Sequence, residues 1–315
     1  MSLFKAGLVV PTLPDSRRTL EIIQEADAIG VQTVWQTVGA TRPDALTLYA
    51  AAAATTKSIK LGTSVVPTYP RHPGALVSQV LAIESLGPGR LRLGVGPSHK
   101  STIEESLGLP MGKPLSHLRE YMSVLRSLLW SGQVDFHGDF FSVSLRLQKG
   151  TVPPKTELPI SALSVNAFRL AGEIADGAIS WVAPIPYLVS IGLPAIAGGA
   201  AKSNRPAPPL IAHVPVAVTT DRASALQSTA REFGDYGSYP FYANMFAAAG
   251  FPVGSAGGAS PAAIDSLAVS GRPDQIRARL EAILAEGIGE VLVSHVAVND
   301  ADDERTELMQ ILAGG

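Results

Sequence analysis

The six histidines are the first residues to test for chemistry, and they fall at positions 72, 99, 117, 137, 213 and 295, with no His-Glu-x-x-His or His-x-His pair among them. No resident metal is expected. The carboxylates offer no acid-base pair either, since Glu104-Glu105 and Asp302-Asp303-Glu304 read as solvated surface. Lys60 opens a strand at the wrong end for Schiff-base chemistry, and Lys100 lies on a loop. The absence of cysteine removes thiolate catalysis, disulfides and cysteine-ligated metals together. What remains are groups that bind and orient. Trp35, Gln36, Tyr69 and Trp181 stand near expected strand ends as candidate pocket walls, although aromatic residues in such places more often belong to ordinary packing. His213 and His295 fall inside strands and read as satisfied interior histidines.

Three stretches could hold a ligand. Gly94-Val95-Gly96-Pro97-Ser98-His99 lacks the third glycine of a dinucleotide fingerprint and turns into proline, so it is a tight turn whose glycines would let a flat ring approach the backbone. Leu163-Ser164-Val165-Asn166, just before a helix at Ala167, is either an anion site built on free amides or a plain helix cap. Arg71-His72-Pro73 brings cationic groups to a helix start, or is a surface turn.

These stretches are placed by the segment Lys57 to Pro73, where the β-rich Ile59, Leu61, Thr63, Val65 and Val66 give way to three prolines. A buried strand must end there in a stiff loop. Further strands are expected at 5–11, 32–38, 90–95, 159–163, 177–182, 210–219 and 290–296, with helices between them. Examples are Asp15 to Ile29, Arg42 to Thr56, Ser116 to Trp130, Asp221 to Phe233 and Pro273 to Glu286. A small hairpin is expected around Phe136 to Phe140, and a mobile loop at the glycine-rich passage Gly250 to Ser260. Eight strand-helix units favour an α/β fold, a (β/α)8 TIM barrel with insertions after strands four, six and seven, over a doubly wound open sheet. Barrel sites form at the carboxyl ends of the strands, which is where the three stretches lie.

A chain of 315 residues with 46% hydrophobic and 17% charged content can bury a large core, and it is expected to form one domain over 1–315. The net charge of -2, without a basic run, argues against nucleic acid and against a charged membrane surface, leaving small molecules as partners. The start Met-Ser-Leu-Phe-Lys has no signal-like apolar core, and no apolar run reaches ~18 residues, so a cytoplasmic protein is expected. The apolar helices Arg42 to Thr56 and Pro73 to Leu86 offer a face for a homodimer.

Several motifs recur together in a fixed order. They are Gly62 to Pro67 with Arg71-His72-Pro73, Gly87 to Lys100, Arg119-Glu120-Tyr121 leading to Val134 to Gly138, Ala171 to Gly177, and Ser270 to Gln275. As an ordered set spanning nearly the whole chain, they resemble the luciferase-like monooxygenase superfamily, and within it the oxidoreductases that use the deazaflavin coenzyme F420. The resemblance implies a tricyclic ring over the ends of strands three and four, backed by a cis peptide at Ser64-Val65, with the cofactor phosphate near the loop after strand five. The implied cofactor-binding residues are Thr63, Ser64, Val65, Arg71, His72, Gly94, Gly96, Pro97, Ser98, His99, Leu163, Ser164, Val165 and Asn166. It also implies hydride transfer at the central ring carbon, for which the protein supplies orientation and a dry pocket. Deazaflavin-dependent alcohol and sugar-phosphate dehydrogenases of the superfamily carry a histidine at the end of strand two. Here the chain reads Trp35-Gln36-Thr37-Val38-Gly39, so reduction of an activated alkene or imine suits it better than alcohol oxidation. A flavin mononucleotide-dependent monooxygenase and an inert ligand-binding barrel are the alternatives. Loops 97–114, 184–208 and 235–262 are expected to shape the substrate pocket.

Overall fold

A computed structural model of the chain describes residues 4–254 and 257–314. The chain enters through β1 (Ala6–Val9), an apolar strand largely buried, as a strand covered by helices must be. Asp15 accepts the Arg17 amide to start α1 (Ser16–Ile29), and Gly30 ends it in the left-handed conformation at φ 101°. After the fully buried β2 (Thr33–Gln36) comes α2 (Ala45–Thr55). This helix starts later than Arg42 because the Asp44 carboxylate, which accepts the Thr47 amide at 2.8 Å, organises its first turn.

The third strand is split into β3 (Lys60–Thr63) and β4 (Val66–Pro67), and the Ser64-Val65 peptide between them is cis. Beyond α3 (Pro73–Leu86), the fourth strand is divided in step with the third, into β5 (Leu91–Arg92) and β6 (Val95–Gly96). β3 pairs with β5 and β4 with β6, and the break is stitched by the Thr63 hydroxyl and the Val66 amide, which both donate to the Gly94 carbonyl at 2.8 Å.

A short π-helical turn (Ser101–Ser106) leads into α4 (Pro114–Ser131) and the expected hairpin, β7 (Gln133–His137) and β8 (Ser142–Arg146). Glu120 ties the hairpin to α4 by accepting the amides of Asp139, Phe140 and Phe141. Alternation resumes with β9 (Pro159–Ser161), α5 (Val165–Ile174) and β10 (Gly177–Ser180). The insertion expected after strand six is instead that unit's own helical run: α6 (Ile185–Tyr187), a π-helical turn and α7 (Leu193–Lys202). Its prolines, Pro186 and Pro194, sit in first turns, where no amide donor is needed. By length and composition the run Ile185–Lys202 is apolar enough to cross a membrane. Here it packs on α5, where a Cβ at Gly172 or Gly199 would collide with the facing backbone.

β11 (Leu210–Ala217), buried along its length, precedes the largest excursion. Residues 218–272 hold α8 (Arg222–Phe233), a 3-10 turn (Gly234–Ser238), α9 (Pro240–Ala248), α10 (Pro261–Leu267) and β12 (Val269–Ser270). β12 returns to pair with Val216 and Ala217, so this material sits as a cap at the carboxyl end of the barrel. Residues 255 and 256, within the passage expected to be a mobile loop, lie outside the described residues, as do 1–3 and 315. α11 (Pro273–Ala285), β13 (Glu290–His295) and α12 (Ala301–Ala313) complete the chain.

β13 pairs in parallel with both β11 and β1, and the ladder continues through β2 and the split strands to β9 and β10. Counting each split strand once, eight parallel strands close into a (β/α)8 barrel. Its middle is filled by Trp35, Ile179, Ile211 and Leu292. Its floor is a buried ion cluster: Arg92 pairs with Glu290 at 2.6 Å and Glu157 at 2.9 Å, and lies 4.6 Å from the centre of the Trp35 ring.

Candidate functional site

The cap and the carboxyl ends of the strands enclose a cavity of about 1490 Å³. Ser64 and Val65 line it at the break in strand three, and Pro97, Ser98 and His99 line it at the end of strand four. The Ser64 hydroxyl is buried and has no hydrogen-bond partner within the described chain. Leu163 to Asn166 line it where α5 begins. Ser164 caps that ten-residue helix by accepting the Ala167 amide, and the opening amides of a helix have no intrahelical partner, so they face any anion placed there.

The charges around the cavity are unbalanced. Arg42, Arg71 and Lys113 are on its lining, and the one carboxylate among its described residues is Asp44. Asp44 is already engaged: it accepts from Arg71 Nη2 at 2.8 Å as well as capping α2. Those bonds and the Arg71 charge hold its carboxyl below the usual range, against the opposing effect of burial. Arg71 Nη1 is buried without a partner, so one end of this guanidinium is available to a ligand.

Behind the cavity a second polar group is fully satisfied. His213 accepts the Val182 amide on Nδ1 at 3.3 Å and donates from Nε2 to the Ser294 hydroxyl at 2.8 Å. Burial pushes its pKa down to about 3, so the ring is neutral. The Trp181 indole stacks on it at 3.7 Å and turns toward the cavity, which it lines. Val182, the next residue, is held at φ 48°, a left-handed conformation that costs a β-branched residue energy and that the His213 bond helps enforce. Trp181 Nε1 is buried and unpartnered; the Tyr236 hydroxyl is near enough to feel it without forming a proper hydrogen bond.

The remaining wall is aromatic and comes from the cap. His99 stacks on Tyr239 at 4.2 Å and lies within 6.3 Å of Tyr236 and 5.8 Å of Tyr242. Burial lowers the His99 pKa and raises those of Tyr236 and Tyr242, so all three rings are neutral near pH 7. Among the described residues, no group of three or more His, Cys, Asp or Glu is arranged to hold a metal.

The profile of the luciferase-like monooxygenase family matches residues 2–290. The chain belongs to that family. It is 36% identical over 208 residues to the F420-dependent glucose-6-phosphate dehydrogenase of Beutenbergia cavernae, a match covering 62% of this chain and 60% of the relative. Among solved structures it resembles an F420-dependent secondary alcohol dehydrogenase in complex with an F420-acetone adduct, with a TM-score of 0.81 and 16% identity, covering 98% of each chain. The F420-dependent tetrahydromethanopterin reductase of Methanopyrus kandleri gives a TM-score of 0.79 at 19% identity, covering 99% of this chain and 97% of that one. At these identities the two structural likenesses establish the fold.

Within this luciferase-like barrel, the cavity gathers Ser64, Val65, Arg71, Pro97, Ser98, His99, Leu163, Ser164, Val165, Asn166 and Trp181 from the residues expected at the site. The others have different surroundings. Trp35 is sealed in the barrel, donating to Glu290 at 3.1 Å, and Gln36 is buried against Thr12. Tyr69 stacks face to face on His117 at 4.0 Å. His72 caps α3 by accepting the Gly74 amide on Nδ1, and the hairpin residue Phe141 packs on its edge. Thr63 spends its hydroxyl on the strand break. Gly94 and Gly96 are tightly packed where a side chain would stand; a Cβ at Gly94 would strike the Thr63 carbonyl, and one at Gly96 would strike Ser161. Their lack of a side chain serves the close approach of split strands. Sequence reasoning does not single out Arg42; Lys113 and the cap tyrosines fall within loops 97–114 and 235–262, expected at the pocket without any residue of them being named. A signal existed: Phe233, Tyr236, Tyr239, Phe241, Tyr242 and Phe246 crowd one short stretch of a chain with seven tyrosines and nine phenylalanines in all.

Proposed function

We propose that this protein is an oxidoreductase that transfers a hydride between coenzyme F420 and a small organic substrate, and that it reduces an activated alkene or imine rather than oxidising an alcohol. The observation carrying this reading is the composition of one cavity: a strand break with an unpartnered Ser64 hydroxyl, a helix start, and three cations against one engaged carboxylate. These residues fit a flat cofactor with an anionic tail. Ser64 and Val65 would back its ring, Pro97 and Ser98 would flank it, and the α5 amides with Ser164 would take its phosphate. The free nitrogen of Arg71 would neutralise further negative charge. The 36% identical relative and both structural neighbours are F420-dependent by name, which supports the choice of cofactor. The chain spans about 60% of the curated relative's length, so neither its substrate nor its partners are taken from there.

When bound, a reduced deazaflavin supplies a hydride from its central ring carbon. The chain supplies position and dryness. At the end of strand two the cavity is met by Thr37, Val38 and Gly39, none of which can take a proton from an alcohol. That end of the barrel suits reduction, with the balancing proton coming from water or a hydroxyl. Family membership also allows a flavin mononucleotide-dependent oxygenase on the same scaffold.

The test is a titration of the purified protein with F420 and with flavin mononucleotide, followed by mixing with reduced F420 and 2-cyclohexenone, and separately with oxidised F420 and isopropanol. F420 is expected to bind at least about tenfold more tightly, a difference of ~1.4 kcal/mol. Cyclohexenone is expected to reoxidise the reduced cofactor, while isopropanol does not reduce the oxidised one. Tighter binding of flavin mononucleotide would replace the cofactor, and turnover with the alcohol alone would reverse the direction.

A further inference from the structure

The cap lines the cavity with four rings, Tyr236, Tyr239, Phe241 and Tyr242, beside Asn244, Met245 and Ala248. His99 and Tyr239 stack, Tyr236 and Tyr242 meet edge to face at 4.9 Å, and Phe233 joins them to Trp181, 6.3 Å from Tyr236 and 6.5 Å from the indole. Such walls favour a flat, polarisable ligand. They suit a polyol less well, because hydroxyl groups taken out of water need acceptors, and the one carboxylate among the described lining residues is committed to Arg71 and to the start of α2, leaving uncharged hydroxyls and the Asn166 and Asn244 amides. On this side of the cavity the buried polar atom without a good partner is the indole nitrogen of Trp181. Among the described residues Trp181 Nε1 is buried without a well-formed hydrogen bond, although the Tyr236 hydroxyl lies beside it, and a buried donor so poorly paired is completed by a ligand acceptor. The indole that carries it is held in place from behind by the neutral His213 ring, itself fixed by Ser294 and the Val182 amide.

We infer that the substrate is a flat conjugated carbonyl compound, an enone, quinone or lactone of one or two fused rings, whose carbonyl oxygen accepts the Trp181 N–H. This deepens the proposed function and rests on it for the hydride source. A hydride from the reduced deazaflavin, when that cofactor is bound, would form a new C–H bond at the carbon β to the carbonyl, and the alkene π pair would move toward the carbonyl oxygen, where negative charge would collect beside the Trp181 N–H. A proton from water then reaches the α carbon. The substrate gains two electrons and two hydrogens, and the deazaflavin is oxidised by the same two electrons. Trp181 acts by stabilising the oxygen on which charge develops, while Tyr236 and Tyr239 hold the ring plane.

The test is calorimetric binding of coumarin, which has a conjugated ring carbonyl, and of naphthalene, which has the same two-ring shape without one. Both are measured with and without F420, alongside glucose 6-phosphate. Wild-type protein is expected to bind coumarin about tenfold more tightly than naphthalene. In Trp181→Phe that preference disappears because the ring stays and the donor goes, whereas Tyr239→Ala weakens both ligands by about tenfold and Tyr239→Phe weakens neither. The inference is overturned if glucose 6-phosphate binds more tightly than coumarin, or if Trp181→Phe keeps the preference for the carbonyl. Because the probes bind without turnover, failure of F420 to bind would remove the proposed cofactor while leaving the coumarin pattern to be read on its own.

Discussion

Trp35 lies within β2 and Trp181 directly follows β10 of the same barrel, and their nitrogens separate them. Trp35 is entirely buried, its N–H donates to Glu290, Arg92 covers its face, and Gly7 and Gly62 are bare so that the indole can fit against them. Trp181 has one face on a neutral histidine, the other side toward the cavity, and an N–H with no well-formed hydrogen bond among the described residues, only the Tyr236 hydroxyl beside it. A donor satisfied within the chain adds to stability. An unsatisfied one lowers it and is kept where a ligand completes the bond.

The largest expected effect lies on the floor. Trp35→Ala should cost about 3–5 kcal/mol in urea denaturation, because it leaves a large cavity and strips Arg92 and Glu290 of a partner. A loss below about 1 kcal/mol would mean that the floor is not the packed half of this pair.

Next comes acid. The pKa of His213 falls from 6.5 to about 3 on folding because burial disfavours its charged form. An unfolded chain therefore binds a proton there that the folded chain refuses, so the stabilisation is complete above pH 6.5 and drains away as pH falls toward 3. Its slope is up to about 1.4 kcal/mol per pH unit. His117, lowered to about 4 mainly by burial, adds to the same slope. Urea midpoints at pH 7.5, 5.5 and 4.5 should fall accordingly, and His213→Gln should flatten the trend. An unchanged slope in that variant would show that Trp181 does not rest on a neutral histidine.

The smallest effect sharpens the contrast. Trp181→Phe should alter unfolding free energy by less than about 1 kcal/mol, since the stacked face survives and no internal hydrogen bond is lost. If it cost as much as Trp35→Ala, the two sites would both be structural.

The barrel was readable because its strands are short apolar runs between well-marked helices, such as the Asp15 and Asp221 caps and the Gly30 stop. The site was readable in part. Ser64, Arg71, Ser98 and the Leu163 to Asn166 stretch meet in the cavity, since residues at strand ends and helix starts are placed by the fold itself. At Gly94 and Gly96 the space a Cβ would take is filled by Thr63, Ile179 and Ser161, and a glycine's chain position does not reveal which neighbour needs the room. Tyr69, a candidate as an aromatic residue near a strand end, and His72, a candidate as a cationic group at a helix start, pack on His117 of α4 and on α3 and the hairpin. The cap helices α9 and α10 were missed altogether, since they lie among glycines and prolines with no helical stripe to mark them.

By itself, the sequence determined the run of eight strand-helix units, the absence of thiol chemistry and the candidate ligand stretches at strand ends, all of which follow from local periodicity and residue type, while closure of the sheet is a matter of strand pairing. Only the tertiary structure decided which tryptophan is core and which is wall, and that three tyrosines from residues 218–272 face strand four. Those outcomes depend on partners far apart in the chain, such as Glu290 for Trp35 and His213 for Trp181, and local pattern carries no information about distant contacts.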